Sequence, residues 1–177
     1  RDSAVPGDLI GITGQLGCSA AGLEALSSQD RKSNPSNSHF ISAHTRPVPR
    51  IAQGMTLRET GVSTAMDISD GLLADLGKLC AASDVGADIE IDLIPADSFL
   101  KKAYPGRWKE LSVTGGEDYE LLFTIDLQDY EKIKGNPNFT VIGHVVDKEE
   151  GANLFTRDDQ AIRLTAQGWD AMLRADE

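Results

Sequence analysis

Apolar and polar positions alternate along this chain in short blocks that predict strands and helices in turn. An apolar block over residues 9–13 predicts a strand, and an Ala-rich block over 20–26 predicts a helix after a glycine-bearing turn. Later, apolar residues recur with period two over 62–68 and with helical spacing over 71–82, so a strand passes into a helix there. Further strands are predicted over 87–95, 121–125 and 139–146, a hairpin over 153–164, and helices over 126–135 and 166–174. This alternation indicates an α/β fold class.

The region between the first helix and the next apolar block, residues 27–44, is polar, rich in Ser and Asn, and without a period. It predicts a mobile surface loop. Residues 46–50 follow as Arg-Pro-Val-Pro-Arg, and the prolines predict the start of a helix. Arg46 and Arg50 could hold an anion or a partner carboxylate in a rigid frame. Solvated arginines at an exposed helix start would explain the pattern equally well.

Two aspartates, Asp67 and Asp70, stand where the central strand ends and the helix over 71–82 begins. In an open α/β sheet this is where ligands usually bind, and a helix N-terminus favours anions. Two carboxylates would repel a bare phosphate, but they suit Mg²⁺, which takes oxygen ligands and bridges carboxylates to phosphate oxygens. The alternative is that Asp70 or Ser69 only caps the helix, which is the commoner role for such residues.

A second unusual stretch combines paired glycines, three acids and a strand. Residues 115–120 read Gly-Gly-Glu-Asp-Tyr-Glu, directly before the apolar strand over 121–125. The glycines let the backbone approach a ligand closely or take a positive φ. A chance acidic turn would explain the acids, but it would not as easily explain the paired glycines and the strand that follows at once.

The remaining chemistry-bearing residues favour structural roles. Cys18 and Cys80 form neither a Cys-x-x-Cys motif nor a Cys/His cluster in sequence, so neither a disulfide framework nor a zinc site is expected. Each cysteine is predicted to be a small core residue. His39 and His44 fall in or beside the polar loop and carry no signal, and Trp108 is predicted to pack against the sheet.

Composition narrows the possible partners. At 177 residues with 40% apolar and 25% charged residues, the chain fits one globular domain with a substantial core. A formal net charge of −11 argues against nucleic-acid or anionic-membrane partners, so any bound phosphate would need metal ions. Without an apolar run long enough to cross a bilayer, the cytoplasm is the default location. Because the chain opens at Arg1 directly before a strand, without an initiator Met, it is expected to be a piece of a longer polypeptide.

Taken together, the motifs resemble one family. Residues 67–72, Asp-Ile-Ser-Asp-Gly-Leu, followed by 115–124, Gly-Gly-Glu-Asp-Tyr-Glu-Leu-Leu-Phe-Thr, are similar to thiamine-monophosphate kinases. Pro-Gly-Asp at 6–8, the Thr-Gly-Gln-Leu-Gly turn at 13–17 and the Arg-Pro-Val-Pro-Arg segment at 46–50 are similar to that family in the same order. The likeness covers nearly the whole chain and corresponds to the second half of such an enzyme.

The resemblance implies both a fold and a reaction. The fold would be α/β (α+β), a mixed β-sheet flanked by helices, of the aminoimidazole ribonucleotide synthetase-like C-terminal type. Residues 1–177 would be a single domain whose N-terminal partner domain is absent. In the complete enzyme, expected to be a homodimer, ATP would donate its γ-phosphoryl to thiamine monophosphate, giving thiamine diphosphate and ADP. The alternatives are a sister ATP-dependent enzyme of the selenophosphate or aminoimidazole ribonucleotide synthetase type, and a non-catalytic binding module of this fold.

The resemblance also implies, by position, which residues surround the reacting phosphates. They are the Mg²⁺ ligands Asp67 and Asp70, the ATP contacts Arg1 and Ser69, and the substrate contacts Glu117 and Trp169. For Trp169, pattern alone favours a core position. No side chain is assigned as an acid or base, because phosphoryl transfer depends mostly on positioning and charge neutralisation.

Overall fold

The structure, a computed structural model, describes residues 2–28 and 35–158. The strands are β1 (Leu9–Thr13), β2 (Thr64–Asp67), β3 (Gly86–Glu90), β4 (Leu121–Ile125), β5 (Phe139–Val146) and β6 (Ala152–Phe155). The α-helices are α1 (Cys18–Ser27), α2 (Asn37–Thr45), α3 (Ile51–Thr60), α4 (Leu72–Ser83), α5 (Ser98–Ala103), α6 (Trp108–Thr114) and α7 (Leu127–Tyr130). Short 3₁₀ helices cover Ile91–Leu93 and Lys148–Glu150.

The strands form one mixed sheet in the order β2-β4-β1-β5-β3-β6. Four neighbouring pairs are antiparallel, and β3 with β6 is parallel. The predicted mixed sheet flanked by helices is therefore confirmed. The strand before the central motif does not lie in a parallel sheet, however, because β2 is at the edge and runs antiparallel to β4. As a result, the carboxyl end of β2 lies beside the start of β4.

Each face of the sheet has its own apolar cluster. On one face, Ile10 and Ile12 of β1 pack with the helical stripe of α4, Leu72, Leu76 and Leu79. These side chains are at most 2% exposed, so the period read from the sequence matches the buried face of the helix. The cluster on the other face consists of Leu57, Phe123, Ile125 and Ile133.

A third cluster lies among the helices rather than on the sheet. Phe40 of α2 is fully buried there, and its neighbours include Cys18, Ala21, Leu100 and Leu111. The close packing of α1 on α2 depends on Gly22, because a Cβ at that position would lie 2.1 Å from the Phe40 carbonyl oxygen. The helix layer is thus a second packed unit beside the sheet.

The predicted mobile loop over 27–44 is wrong in its second part, since Asn37–Thr45 form α2. The polar composition of this segment concealed one residue, Phe40, whose ring is removed from water by the helix layer and holds α2 in place. Residues 29–34 lie outside the described part of the chain.

Several predicted element boundaries also change. The strand predicted over 87–95 ends at Glu90, and the following 3₁₀ helix lets Ile91 and Ile94 both be buried. The helix predicted over 126–135 is only the short α7, although Asp126 caps it as expected. Trp108 packs in the helix layer and not against the sheet.

The second hairpin strand predicted over 161–164 and the closing helix over 166–174 lie outside the described residues. Within residues 2–28 and 35–158, no helix has the length and apolar character that crossing a membrane requires.

Candidate functional site

The two unusual sequence motifs lie side by side in the folded chain. The antiparallel register pairs Asp67 of β2 with Leu121 of β4. Beyond the strands the pairing continues, because the Ile68 N–H donates to the Glu120 carbonyl (2.8 Å) and the Tyr119 N–H donates to the Ile68 carbonyl (2.9 Å). The residues that follow β2 therefore run alongside those that precede β4.

Paired glycines allow this close approach. The Glu117 N–H donates to the Ser69 carbonyl at 2.8 Å, and a Cβ on Gly116 would lie only 2.6 Å from that same oxygen. Gly71 has φ +107° and faces the Thr114 carbonyl, which would lie 2.6 Å from an added Cβ. These glycines bring the two motifs close to each other, because they have no Cβ that would block the approach of the facing backbone.

Three acidic side chains at this junction point towards solvent, and we call them the outward carboxylates: Asp67, Asp70 and Glu117. The Tyr119 hydroxyl donates to Glu117 Oε2 at 3.1 Å. The hydrogen bond and the negative charge of Glu117 raise the pKa of Tyr119, with further contributions from Asp67 and Asp70. All three acids therefore lie near enough to the Tyr119 hydroxyl to act on it electrostatically.

Three other acids, in or next to the same motifs, turn inward and bind protein groups, and we call them the inward carboxylates: Asp75, Asp118 and Glu120. Asp75 is fully buried, and its Oδ2 accepts from the backbone N–H groups of Ser69 (2.8 Å) and Asp70 (2.9 Å). Its Oδ1 accepts from Lys78 at 2.8 Å, and Lys78 also contacts Asp70. Hydrogen bonds to these two carboxylates raise the pKa of Lys78.

This arrangement decides the helix-cap alternative. The N-cap residue of α4 is Gly71, so the interpretation of Ser69 or Asp70 as the cap is wrong. Instead, Asp75 reaches back from the first turn of α4 and fixes the loop that carries Asp70. The sequence reasoning missed Asp75, although an acid in the first turn of a helix is a recognisable signal.

Asp118 anchors the other side of the junction to α1. Its Oδ2 accepts from the Gly17 N–H at 2.7 Å and its Oδ1 from the Ser19 N–H at 3.1 Å, at the start of the helix. Loss of water around this carboxylate raises its pKa to about 7, with a further contribution from Glu120, while the two backbone amides oppose the rise.

Glu120 is buried and holds three elements together. Its Oε2 accepts from the Thr13 hydroxyl at 2.6 Å and from Arg50 Nε at 2.7 Å, and its Oε1 accepts from the second guanidinium nitrogen at 2.5 Å. Of the alternatives for the Arg-Pro-Val-Pro-Arg segment, the partner carboxylate is therefore confirmed for Arg50. Arg46 lies at the surface.

A cavity of about 440 Å³ adjoins the junction and includes Ser69 and Glu117 in its wall. Its opposite wall comes from the helix layer and includes Glu24 and His44. His44 Nδ1 lies 2.9 Å from the Ser19 hydroxyl, which fixes the ring beside the cavity. His44 was not predicted as a site residue, because the segment that carries it was predicted as a loop.

Four of the six predicted site residues thus come together, namely Asp67, Ser69, Asp70 and Glu117. The predicted ATP contact Arg1 and the predicted substrate contact Trp169 lie outside the described residues. What the structure assembles is a strongly acidic edge with an adjoining cavity, an arrangement suited to cations and to ligands that carry them.

Comparison with known proteins places this geometry in a family. Residues 5–153 match the family described as "AIR synthase related protein, C-terminal domain". The chain is 38% identical over 178 residues to the thiamine-monophosphate kinase of Salmonella typhimurium, covering 96% of this chain and 54% of that protein. The chain spans about half the length of the curated relatives it matches.

The fold of this chain is also similar to solved structures of thiamine monophosphate kinases. The crystal structure of thiamine monophosphate kinase from Aquifex aeolicus matches with a TM-score of 0.79 at 33% identity, covering 93% of this chain and 54% of that one. A structure of AaThiL complexed with AMPPCP and TMP matches with a TM-score of 0.80 at 33% identity, covering 96% and 52%. The similarity therefore extends over nearly all of this chain.

Proposed function

This chain belongs to the family of C-terminal domains of AIR synthase related proteins, and from that premise we propose that it is the C-terminal domain of a thiamine-monophosphate kinase. Together with an N-terminal domain, it transfers the γ-phosphoryl of ATP to thiamine monophosphate, which yields thiamine diphosphate and ADP. The complete enzyme is a cytoplasmic homodimer in this proposal. Similarity to curated thiamine-monophosphate kinases and to a neighbour solved with AMPPCP and TMP supports this function over a sister enzyme.

The observation that carries the proposal is the junction of the two motifs. Asp67 and Asp70 stand on one side and Glu117 on the other, with backbone hydrogen bonds fixing their separation. A structural role alone does not require three outward carboxylates at one place, because such acids repel one another. The presence of three carboxylates at this place is explained if they bind cations.

The outward carboxylates fit Mg²⁺ as a partner. They offer hard oxygen ligands, Asp67 is exposed, and Asp70 already contacts a cation, the Lys78 ammonium. In this proposal Asp67 and Asp70 would hold the ion, and the bound ion would supply positive charge to neutralise the phosphates during transfer. A chain of net charge −11 needs such neutralisation before a nucleotide can approach it.

The other residues position the reactants. Asp75 holds the backbone of Ser69 and Asp70, so that Ser69 faces the nucleotide from a fixed loop. Glu117, supported by the Tyr119 hydroxyl, faces the cavity of about 440 Å³, where the cationic thiazolium or the aminopyrimidine of thiamine monophosphate would meet its charge. Contacts of Arg1 with ATP and of Trp169 with substrate remain predictions from the family resemblance.

The test uses the full-length protein with Asp70→Asn. We expect thiamine diphosphate formation at saturating Mg²⁺, ATP and thiamine monophosphate to fall by about two orders of magnitude or more, since a metal ligand is lost. Asp84→Asn is the matched control, because Asp84 is exposed and contacts Lys148 much as Asp70 contacts Lys78. The control should keep normal turnover, and circular dichroism should show both variants folded. Normal turnover in Asp70→Asn would contradict the metal-ligand role and favour a non-catalytic module.

The isolated 177-residue chain provides a second test. We expect weak or undetectable kinase activity, because ligands from the N-terminal domain must complete the metal–nucleotide centre. The assay is chromatographic detection of thiamine diphosphate after incubation with Mg²⁺, ATP and thiamine monophosphate. Efficient product formation by this chain alone would show that it holds a complete site.

A further inference from the structure

Three side chains of metal-binding type meet in the helix layer, apart from the acidic junction. One ligand atom each from Cys18, His39 and Asp97 lies within 4.8 Å of the other two. His39 Nε2 and Asp97 Oδ2 are 3.3 Å apart. Ligand atoms around a tetrahedral Zn²⁺ are separated by about 3.3–3.8 Å, given bond lengths of about 2.0–2.3 Å. Small side-chain adjustments would therefore bring all three onto one ion.

These side chains are supplied by three different elements and are held by packing. Cys18 begins α1, His39 lies in α2, and Asp97 is the N-cap residue of α5. Asp97 Oδ1 accepts from the Phe99 N–H at 2.6 Å, which leaves Oδ2 directed to His39. The His39 ring is tilted between Phe40 and Phe99, with centroid distances of 5.7 and 5.4 Å. Such support is what a preorganised metal site needs.

A cavity of about 500 Å³ opens beside the three side chains. An ion could enter through this cavity and still have room for a water ligand. Burial and the nearby carboxylates of Asp97 and Asp118 raise the pKa of the Cys18 thiol to about 12, so the thiol keeps its proton until an ion takes its place. Arg50, which also lines this cavity, is neutralised by Glu120. This cavity shares no lining residue with the one beside Ser69 and Glu117.

We propose that Cys18, His39 and Asp97 form a second metal site that binds Zn²⁺ or a similar borderline divalent ion. The set of one sulfur, one nitrogen and one carboxylate oxygen is typical of Zn²⁺ and unsuited to Mg²⁺, which takes oxygen ligands. On binding, the thiol releases its proton to water and the sulfur bonds to the ion. The ion joins α1, α2 and α5, so its occupancy stabilises the helix layer and does not depend on the kinase proposal.

The test is a Co²⁺ titration of the untagged chain after treatment with a chelator. Co²⁺ occupies Zn²⁺ sites, and a cysteine ligand produces an ultraviolet thiolate-to-cobalt charge-transfer band. We expect this band to saturate at one equivalent and to disappear when Zn²⁺ is added. Cys80→Ser is the matched control, because Cys80 is also buried but lies in the core beneath the sheet. It should keep the band, whereas Cys18→Ser should lose it.

His39→Ala separates metal binding from folding, because the His39 side chain is 47% exposed and its removal leaves the core intact. We expect at least a tenfold loss of Co²⁺ affinity in this variant. Zn²⁺ should raise the Tm of the wild type and of Cys80→Ser, but not that of His39→Ala. The proposal is overturned if the wild type gives no charge-transfer band, if Cys18→Ser retains the band, or if His39→Ala binds as tightly as the wild type.

Discussion

The outward and inward carboxylates lie within or next to the same two short motifs but have opposite surroundings. The outward group, Asp67, Asp70 and Glu117, meets solvent, a lysine or a tyrosine. The inward group, Asp75, Asp118 and Glu120, accepts hydrogen bonds from backbone amides, a threonine, a lysine and an arginine. The number of acids in these motifs therefore overstates the charge available to a ligand, because half of the acids bind protein groups and position the other half.

The contrast is sharpest within residues 117–120. Glu117 and Tyr119 have positive φ values of 66° and 52° and face the junction, whereas Asp118 and Glu120 turn into the protein. Non-glycine residues with positive φ are uncommon and persist where the surrounding structure holds them. We infer that the bonds of Asp118 and Glu120 keep Glu117 and Tyr119 in this conformation.

The largest expected effect is the pH response of Asp118. Its pKa rises from 3.8 to about 7 on folding, so the folded state binds its proton more tightly than the unfolded state. This contribution to stability is complete below pH 4 and is lost as the pH rises through 7. The shift corresponds to up to about 4 kcal/mol at about 1.36 kcal/mol per pH unit.

The measurement is urea unfolding of the wild type and of Asp118→Asn between pH 4 and 8, with EDTA present. The variant cannot titrate at this position, so the wild type should lose stability relative to it across that range. A difference between the two proteins that stays constant from pH 4 to 8 would contradict the inward assignment.

The next largest effect compares two glutamates three residues apart. Glu120→Gln removes the charge that pairs with Arg50, and we expect the free energy of unfolding to fall by about 3 kcal/mol, as for a broken buried ion pair. Glu117→Gln, the matched outward control, should change it by less than about 0.5 kcal/mol. Urea unfolding at pH 7 measures both, and equal costs for the two variants would remove the distinction between the groups.

Asp75 and Asp70 allow the same comparison of an inward with an outward acid, with an intermediate effect on the free energy of unfolding. Asp75→Asn keeps one oxygen for the amides of Ser69 and Asp70 but turns an amide donor towards Lys78, which costs about 2 kcal/mol. Asp70→Asn should unfold at nearly the wild-type urea concentration while losing kinase turnover in the full-length protein. If Asp70→Asn proved the less stable of the two, Asp70 would be the structural residue.

Much of the sheet follows from the sequence because strand periods are local. The strand over 9–13 and the strand over 139–146 have the predicted boundaries, and the stripe of α4 lies on the predicted face. The loop predicted over 27–44 failed because α2 has little amphipathic pattern of its own and depends on burial of Phe40 in the helix layer. Tertiary packing overrides local propensity there.

The candidate site was predictable where its residues stand in continuous motifs and not where the fold brings distant residues together. Asp67, Ser69, Asp70 and Glu117 were named from the sequence and lie together. The inward role of Asp75 is local and could have been recognised from its place in the first turn of α4. The inward role of Asp118 depends on Gly17 and Ser19, about 100 positions away, and sequence spacing contains no information about such contacts.

The smallest expected effect concerns the spacing between the two motifs. Gly116→Ala places a Cβ 2.6 Å from the Ser69 carbonyl oxygen, so the backbone must move and the Glu117 N–H bond to that oxygen is weakened. The added Cβ is bonded to the backbone and the Ser69 oxygen is part of it, so side-chain rotation cannot relieve the contact. We expect a loss of about 1 kcal/mol in the free energy of unfolding, as for a mildly overpacked site.

Gly106→Ala is the matched control for this substitution. An added Cβ at Gly106 has no neighbour within 4 Å, so the change should be neutral or slightly stabilising. In the full-length protein, Gly116→Ala should also raise the Mg²⁺ concentration needed for half-maximal turnover, because Ser69 and Glu117 move apart, whereas Gly106→Ala should not. If both variants matched the wild type in stability and Mg²⁺ dependence, the separation of the two motifs would not control the outward carboxylates, and the inward bonds alone would position them.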